Sequence, residues 1–219
     1  MIEELLPPAV AAVETRQDPP DATLLPEEEP VVARAVESRR VQFTTGRHCA
    51  RLALAQLGLP PVAIPSGERG EPLWPAGVVG AITHCEGYRA AALAHAREVT
   101  TVGIDAEPNE PLPDGILARS AFGSEPAHVG ALAEASPAVH WDRLLFSAKE
   151  SVYKAWFPLA RRWLGFEDSA IVFDAAGGTF EARLLVPGPD VGGRPLTRFS
   201  GRWLARDGLV ITAIAHTEG

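Results

Sequence analysis

The pattern of apolar and polar positions divides the chain into two halves, each of which places helices before strands. In the first half, residues 27–40 predict one helix, and Thr44 or Thr45 caps a second helix that runs to about Leu57 and stops at Gly58. A proline-rich loop follows. Three short apolar runs, separated by turn residues, then predict the strands of an antiparallel meander: 78–84, 88–94 and 99–105.

The second half repeats this order. A weakly patterned region through residue 138 precedes a strong helix predicted over residues 147–162. Four strand candidates follow, in two pairs joined by glycine-containing turns: 170–173, 179–186, 198–204 and 209–215. The chain therefore predicts an α+β fold.

The two halves also resemble each other locally, because Phe43-Thr44 and Arg51 stand in the first half where Phe146-Ser147 and Lys154 stand in the second. We predict a duplicated unit with pseudo-symmetric halves, each with helices packed on a small antiparallel sheet, and an active site in the cleft between them. The proline-rich acidic segment after residue 107 separates the halves, which the prediction sets at 1–108 and 109–219.

Composition narrows the function classes. The 219 residues carry a formal charge of −8, which argues against a nucleic-acid or anionic-membrane binder. Residues 34–51 are the exception, since five arginines there meet one acid, and such a patch favours a small anion. With no apolar run long enough to span a membrane and no basic secretory start, we expect a cytoplasmic protein.

The two cysteines, Cys49 and Cys85, do not form a disulfide framework, and we expect both to stay reduced. Each follows a histidine. Adjacent side chains point apart on a helix or a strand, so these pairs are poor zinc chelators, and buried thiols are the favoured interpretation.

Two carboxylates end the third apolar run. Asp105 and Glu107 are two residues apart, which places both on one face of a strand. Oxygen ligands of this kind suit Mg²⁺, with Mn²⁺ as an alternative. The competing interpretation is a strand end that enters an acidic, solvated loop.

The only two lysines of the chain, Lys149 and Lys154, flank Glu150 on the predicted helix. Glu150 and Lys154 are spaced i, i+4, as in a surface ion pair worth about 0.2–0.5 kcal/mol, and Ser147 with Glu150 fits a capping box. Because the helix is largely apolar, a charged pair on it needs further partners. Structural and functional interpretations are both open.

Two arginines of the basic patch, Arg47 and Arg51, are also spaced i, i+4, and their like charges repel unless an anion lies between them. A phosphate is one such anion, and the alternatives are solvated arginines or pairing with the acids at residues 27–29. His84, preceded by Thr83, ends a predicted strand and could donate to a phosphate or be a satisfied core residue.

Taken together, these residues resemble the Sfp-type 4′-phosphopantetheinyl transferases, in the branch of enterobactin-associated and actinobacterial enzymes. Any one motif is weak, but their order and spacing are specific. The motifs are Phe43-Thr44-Thr45-Gly46-Arg47-His48-Cys49-Ala50-Arg51, Trp74-Pro75-Ala76-Gly77, Gly80-Ala81-Ile82-Thr83-His84-Cys85, Val102-Gly103-Ile104-Asp105-Ala106-Glu107-Pro108 and Phe146-Ser147-Ala148-Lys149-Glu150-Ser151-Val152-Tyr153-Lys154-Ala155-Trp156.

The resemblance implies transfer of the phosphopantetheine arm of coenzyme A to a serine of an apo acyl or peptidyl carrier protein, with adenosine 3′,5′-bisphosphate released. It implies Mg²⁺ on Asp105, Glu107 and Glu150, with Glu150 and Lys154 catalytic. Coenzyme A contacts are then expected from a larger set of residues: Arg39, Arg47, Arg69, Thr83, His84, Lys149 and Lys154.

One departure concerns the loop before Trp74, where many members have a lysine. This chain has Ser66-Gly67-Glu68-Arg69-Gly70-Glu71, and Arg69 is the candidate substitute. Two other function classes remain: a non-catalytic coenzyme A or carrier-binding module, and a Mg²⁺-dependent pyrophosphate or nucleotidyl hydrolase. One chain that holds both halves needs no second copy, so a monomer is expected.

Overall fold

The computed structural model describes residues 1–217 and shows an α+β fold, as predicted. Its α-helices are α1 Glu29–Val32, α2 Glu37–Gln56, α3 Leu117–Ser120, α4 Glu125–Ala135 and α5 Trp141–Ala160. Its strands are β1 Val10–Thr15, β2 Val78–Cys85, β3 Tyr88–His95, β4 Thr101–Pro108, β5 Ser169–Asp174, β6 Thr179–Leu184, β7 Asp190–Val191, β8 Arg194–Pro195, β9 Arg198–Arg206 and β10 Leu209–His216. Within that range, the helices are too short or too polar to cross a membrane.

Two antiparallel sheets form the body of the molecule, with strand orders β1-β3-β2 and β4-β10-β9-β6-β5. The predicted three-strand meander is wrong in its last strand, because β4 pairs with β10 and not with β3. Sequence proximity favours a hairpin, but β10 offers eight partners in register, and both strands are buried over most of their length. The strand that carries Asp105 therefore lies in the larger sheet. The division at residue 108 and the pseudo-symmetry of the halves stay predictions.

The first long helix differs from its prediction. A single helix, α2, covers the position where a break between two helices was expected. Phe43 is buried there, and the Thr45 hydroxyl donates to Asp18 at 2.7 Å, so neither threonine is needed as a cap. The predicted stop is confirmed, since Gly58 adopts φ 75° just beyond the helix.

Strand β1 and helix α4 have no counterpart among the predicted elements, and α5 begins earlier than predicted, at Trp141. The predicted start at Ser147, with its capping box, is wrong. Ser147 lies inside the helix and is fully buried, and its hydroxyl bonds Thr212 on β10 at 2.9 Å. A buried serine with a distant partner has the same sequence signature as a cap.

Helix α5 lies against β4 and β10 at close range. Gly103 on β4 leaves room for it, because a Cβ there would stand 2.1 Å from the Ser151 carbonyl oxygen. Thr101 donates to the Ala155 carbonyl at 2.8 Å, and Ser151 shares Thr212 with Ser147. These polar contacts inside an apolar interface fix the height and rotation of α5 relative to the sheet.

Candidate active site

A cleft of about 470 Å³ opens between β2 and α5. One wall is the loop after residue 68 together with β2, and the other is the C-terminal half of α5. The charged and aromatic side chains of this lining are Arg69, Glu71, Trp74, Glu150, Tyr153, Lys154, Phe157 and Arg161. Among the predicted site residues, Glu150, Lys154 and Arg69 therefore share one cavity.

Lys154 reaches across from α5 to β4. Its Nζ lies 2.7 Å from Asp105 Oδ1 and donates to the Ile104 carbonyl at 3.1 Å. The i, i+4 partner proposed for it, Glu150, forms no ion pair with it, and the salt bridge goes to Asp105 instead. The Thr83 hydroxyl also donates to Asp105 Oδ1, at 3.2 Å, and it accepts from the Ala106 amide. Thr83 thus positions Asp105.

Asp105 affects two further carboxylates near this ion pair. Burial, and then the charge of Asp105, raises the pKa of both Glu107 and Glu150. The second oxygen of Asp105, Oδ2, is buried without a hydrogen-bond partner. Such an orphaned carboxylate oxygen, beside two acids that resist ionisation, matches the donor set of a hard divalent cation.

As these side chains are placed, no group of three His, Cys, Asp or Glu residues within residues 1–217 is close enough to hold a metal ion. Glu107 is engaged elsewhere, since its Oε2 accepts from Arg143 Nη1 at 3.0 Å. Arg143 is not among the predicted site residues. The sequence does contain a sign of it, because Arg143 lies on the same predicted helix face as Ser147, Glu150 and Lys154, at spacings of three and four residues.

Two of the predicted phosphate ligands meet at the surface. The Arg39 guanidinium lies 2.5 Å from His84 Nε2. Burial, and then the Arg39 charge, lowers the pKa of His84 to about 4, so the imidazole is neutral at pH 7. The pair can present hydrogen-bond donors and one full positive charge to an anion.

The two arginines at i, i+4 are used within the protein. Arg47 donates to the Ile64 carbonyl at 2.7 Å and to the Ser66 hydroxyl at 3.0 Å, and burial lowers its pKa to about 10. Arg51 contacts both oxygens of the fully buried Glu28. Arg51 therefore pairs with one of the acids at residues 27–29, which is one of the alternatives given above. Arg47 instead supports the loop that leads to Arg69.

Lys149 is not brought to the cleft. It is 2% exposed, and its Nζ lies 2.8 Å from Glu125 Oε1. The two cysteines are buried in separate apolar clusters, and burial raises the pKa of Cys49 to about 11 and of Cys85 to about 12. Thiols that resist ionisation are poor zinc ligands, which agrees with the buried-thiol interpretation.

Comparison with known proteins identifies the class to which this fold and cleft belong. The family model described as 4′-phosphopantetheinyl transferase N-terminal domain matches residues 27–94, and that of the 4′-phosphopantetheinyl transferase superfamily matches residues 101–197. The chain belongs to the 4′-phosphopantetheinyl transferase family and is an enzyme of that class.

Three relatives align over nearly the whole chain. The chain is 52% identical to 4′-phosphopantetheinyl transferase Npt of Nocardia iowensis, over 99% of this chain and 100% of the relative. It is 55% identical to 4′-phosphopantetheinyl transferase Svp of Streptomyces mobaraensis, over 98% of this chain and 89% of the relative. It is 50% identical to 4′-phosphopantetheinyl transferase PptT of Mycobacterium tuberculosis, over 98% of this chain and 97% of the relative.

Proposed function

We propose that the protein transfers the 4′-phosphopantetheine arm of coenzyme A to a serine hydroxyl of an apo acyl or peptidyl carrier protein, with release of adenosine 3′,5′-bisphosphate. The observation that carries this proposal is that Glu150 and Lys154 line one cleft, where the Lys154 ammonium is held by the buried Asp105 carboxylate. A pure binding module has no need of a carboxylate whose pKa is raised beside an anchored ammonium.

The proposed metal site consists of Asp105, Glu107 and Glu150, which fit Mg²⁺ or Mn²⁺ by the chemistry of their oxygens and by the unpartnered Asp105 Oδ2. When bound, such a cation neutralises the diphosphate of coenzyme A. Glu107 is tethered by Arg143, so we propose that it joins the site by a side-chain movement.

Glu150 is the proposed proton acceptor for the attacking serine, directly or through one water. Its carboxylate lines the cleft one helical turn from Lys154, where it can accept a proton from a serine bound there. Lys154 faces the same cleft with about a quarter of its side chain exposed, and it stabilises charge on the leaving phosphate.

We propose that Arg39 and His84 hold a phosphate of coenzyme A and that Arg69, in the loop that lines the cleft, is a further contact. Arg47 is near enough to Arg39 for their charges to interact, and we propose that it adds positive charge to the same site. Residues on both sides of position 108 line the cleft, so we further propose that the enzyme acts as a monomer. We also propose that it works in the cytoplasm.

The test is incubation of the enzyme with coenzyme A, Mg²⁺ and an apo carrier, followed by chromatography of the nucleotide products. We expect adenosine 3′,5′-bisphosphate to appear only when the carrier is present, in proportion to holo carrier. Release of nucleotide without a carrier would instead support a hydrolase. No release with several carriers would refute the proposal.

A further inference from the structure

The ammonium of Lys149 is completely enclosed by protein oxygens. Its Nζ donates to the carbonyls of Phe166 and Ser169, at 2.6 and 2.5 Å, and pairs with Glu125 Oε1 at 2.8 Å. Three acceptors use all three protons of a lysine ammonium. Lys149 therefore has no free donor for coenzyme A, although its neighbour Glu150 lines the cleft.

The partner of Lys149 is equally occupied. Glu125 is 1% exposed, its Oε1 accepts from the Ile171 amide at 2.7 Å, and its Oε2 accepts from the Phe122 amide at 2.8 Å. The ion pair thus joins α5 to the start of α4, to the turn before β5 and to β5 itself. Buried pairs of this kind tolerate the loss of one partner poorly, because the other charge remains desolvated.

Glu150 follows Lys149 directly on α5. Among the residues that the structure describes, none forms a hydrogen bond or ion pair with the Glu150 carboxylate, so the placement of α5 sets where this carboxylate enters the cleft. The Thr212 contacts hold α5 on its sheet side, at Ser147 and Ser151. Lys149 holds it on another side, about 100° around the helix from Glu150.

We infer that Lys149, together with Glu125, is a positioning residue that orients Glu150 in the cleft and makes no contact with coenzyme A. The inference rests on the proposed transferase function for the role of Glu150. It separates the two lysines of the chain: Lys154 acts in the cleft, and Lys149 fixes the helix that carries it.

The first experiment uses the wild-type protein and the fact that it has only two lysines. Treatment with an amine-acetylating reagent, followed by peptide mass spectrometry, measures the acetylation rate of each lysine separately. We expect Lys154 to react at least about tenfold faster than Lys149, and coenzyme A to protect Lys154 alone. Equal reactivity, or protection of Lys149 by coenzyme A, would overturn the inference.

The second experiment compares Lys149→Met, the double variant Lys149→Met/Glu125→Met, and Lys154→Met. For Lys149→Met we expect a lower Tm and a kcat reduced about tenfold, with the Kd and KM for coenzyme A within about twofold of wild type. The double variant removes the unpaired charge, so Tm recovers while kcat stays low. Lys154→Met should weaken coenzyme A binding.

Recovery of kcat together with Tm in the double variant would show that Lys149 is only structural, and a loss of coenzyme A affinity like that of Lys154→Met would show that it is a ligand. The wild-type enzyme is assayed with a carrier first. If it transfers nothing, the proposed function fails, whereas the acetylation and affinity measurements still decide whether Lys149 contacts coenzyme A.

Discussion

Substitution of Gly103 by alanine tests the close packing that brings α5 to β4. A Cβ at this position would lie 2.1 Å from the Ser151 carbonyl oxygen and 2.9 Å from the Ala155 amide nitrogen. Both are backbone atoms of a helix, so no side-chain rotation relieves the clash, and α5 must move away from β4. Gly103 has no positive φ, so the effect is steric and not conformational.

Overpacking of a core typically costs about 1–3 kcal/mol, and the smaller entropy of an unfolded alanine chain returns about 0.4–1 kcal/mol. Because the clash is with backbone, we expect a net loss of about 2 kcal/mol, which lowers Tm by roughly 4–8 °C in a chain of this size. Glu150 and Lys154 move with α5, and a displacement of about 1 Å can cost about 10²-fold in kcat/KM.

The measurements are thermal unfolding and carrier modification, with Gly130→Ala as the matched control. Gly130 lies inside α4 with open space around it, so alanine there should raise stability by about 0.5–1 kcal/mol and leave activity unchanged. A Gly103→Ala enzyme with wild-type Tm and full activity would refute the packing of α5 on β4 described above.

Three further predictions concern buried charges. Burial raises the pKa of Glu150, so the ionised carboxylate destabilises the folded protein, and this cost is absent below pH 4.5 and grows as the pH rises. Glu150→Gln should therefore stabilise the metal-free protein at pH 7 but not at pH 4, as measured by denaturant unfolding. Arg51→Met leaves the buried Glu28 unpaired and should destabilise the protein by about 3–5 kcal/mol in the same assay. An NMR titration should find His84 with a pKa of about 4, rising in Arg39→Ala.

The motifs of the site could be found from the sequence, but their contacts could not. Lys154 was assigned a local partner at i, i+4, whereas the structure pairs it with Asp105, 49 residues away in the chain. Helical spacing identifies a shared face, and it carries no information on what a neighbouring strand places opposite that face. The same limit hid Arg143, whose partner Glu107 is on another element.

The fold shows the same contrast between local features, which the sequence predicts, and distant contacts, which it does not. The strands with clear apolar runs and turn residues were predicted well, and the Asp207-Gly208 turn is confirmed by positive φ at both residues. The pairing of β4 with β10 joins positions about a hundred residues apart, and only tertiary packing selects it. A threonine or serine that bonds a distant group, such as Thr45 or Ser147, is indistinguishable in sequence from a helix cap.

The central claim is that Asp105, Glu150 and Lys154 form one site for phosphopantetheine transfer. The most direct measurement is the intact mass of an apo carrier after incubation with coenzyme A, Mg²⁺ and either the wild-type enzyme or Asp105→Ala. We expect the wild-type enzyme to add the mass of one phosphopantetheine arm, and we expect Asp105→Ala, like the wild-type enzyme with a chelator, to add nothing while remaining folded. Full modification of the carrier by folded Asp105→Ala would contradict the account.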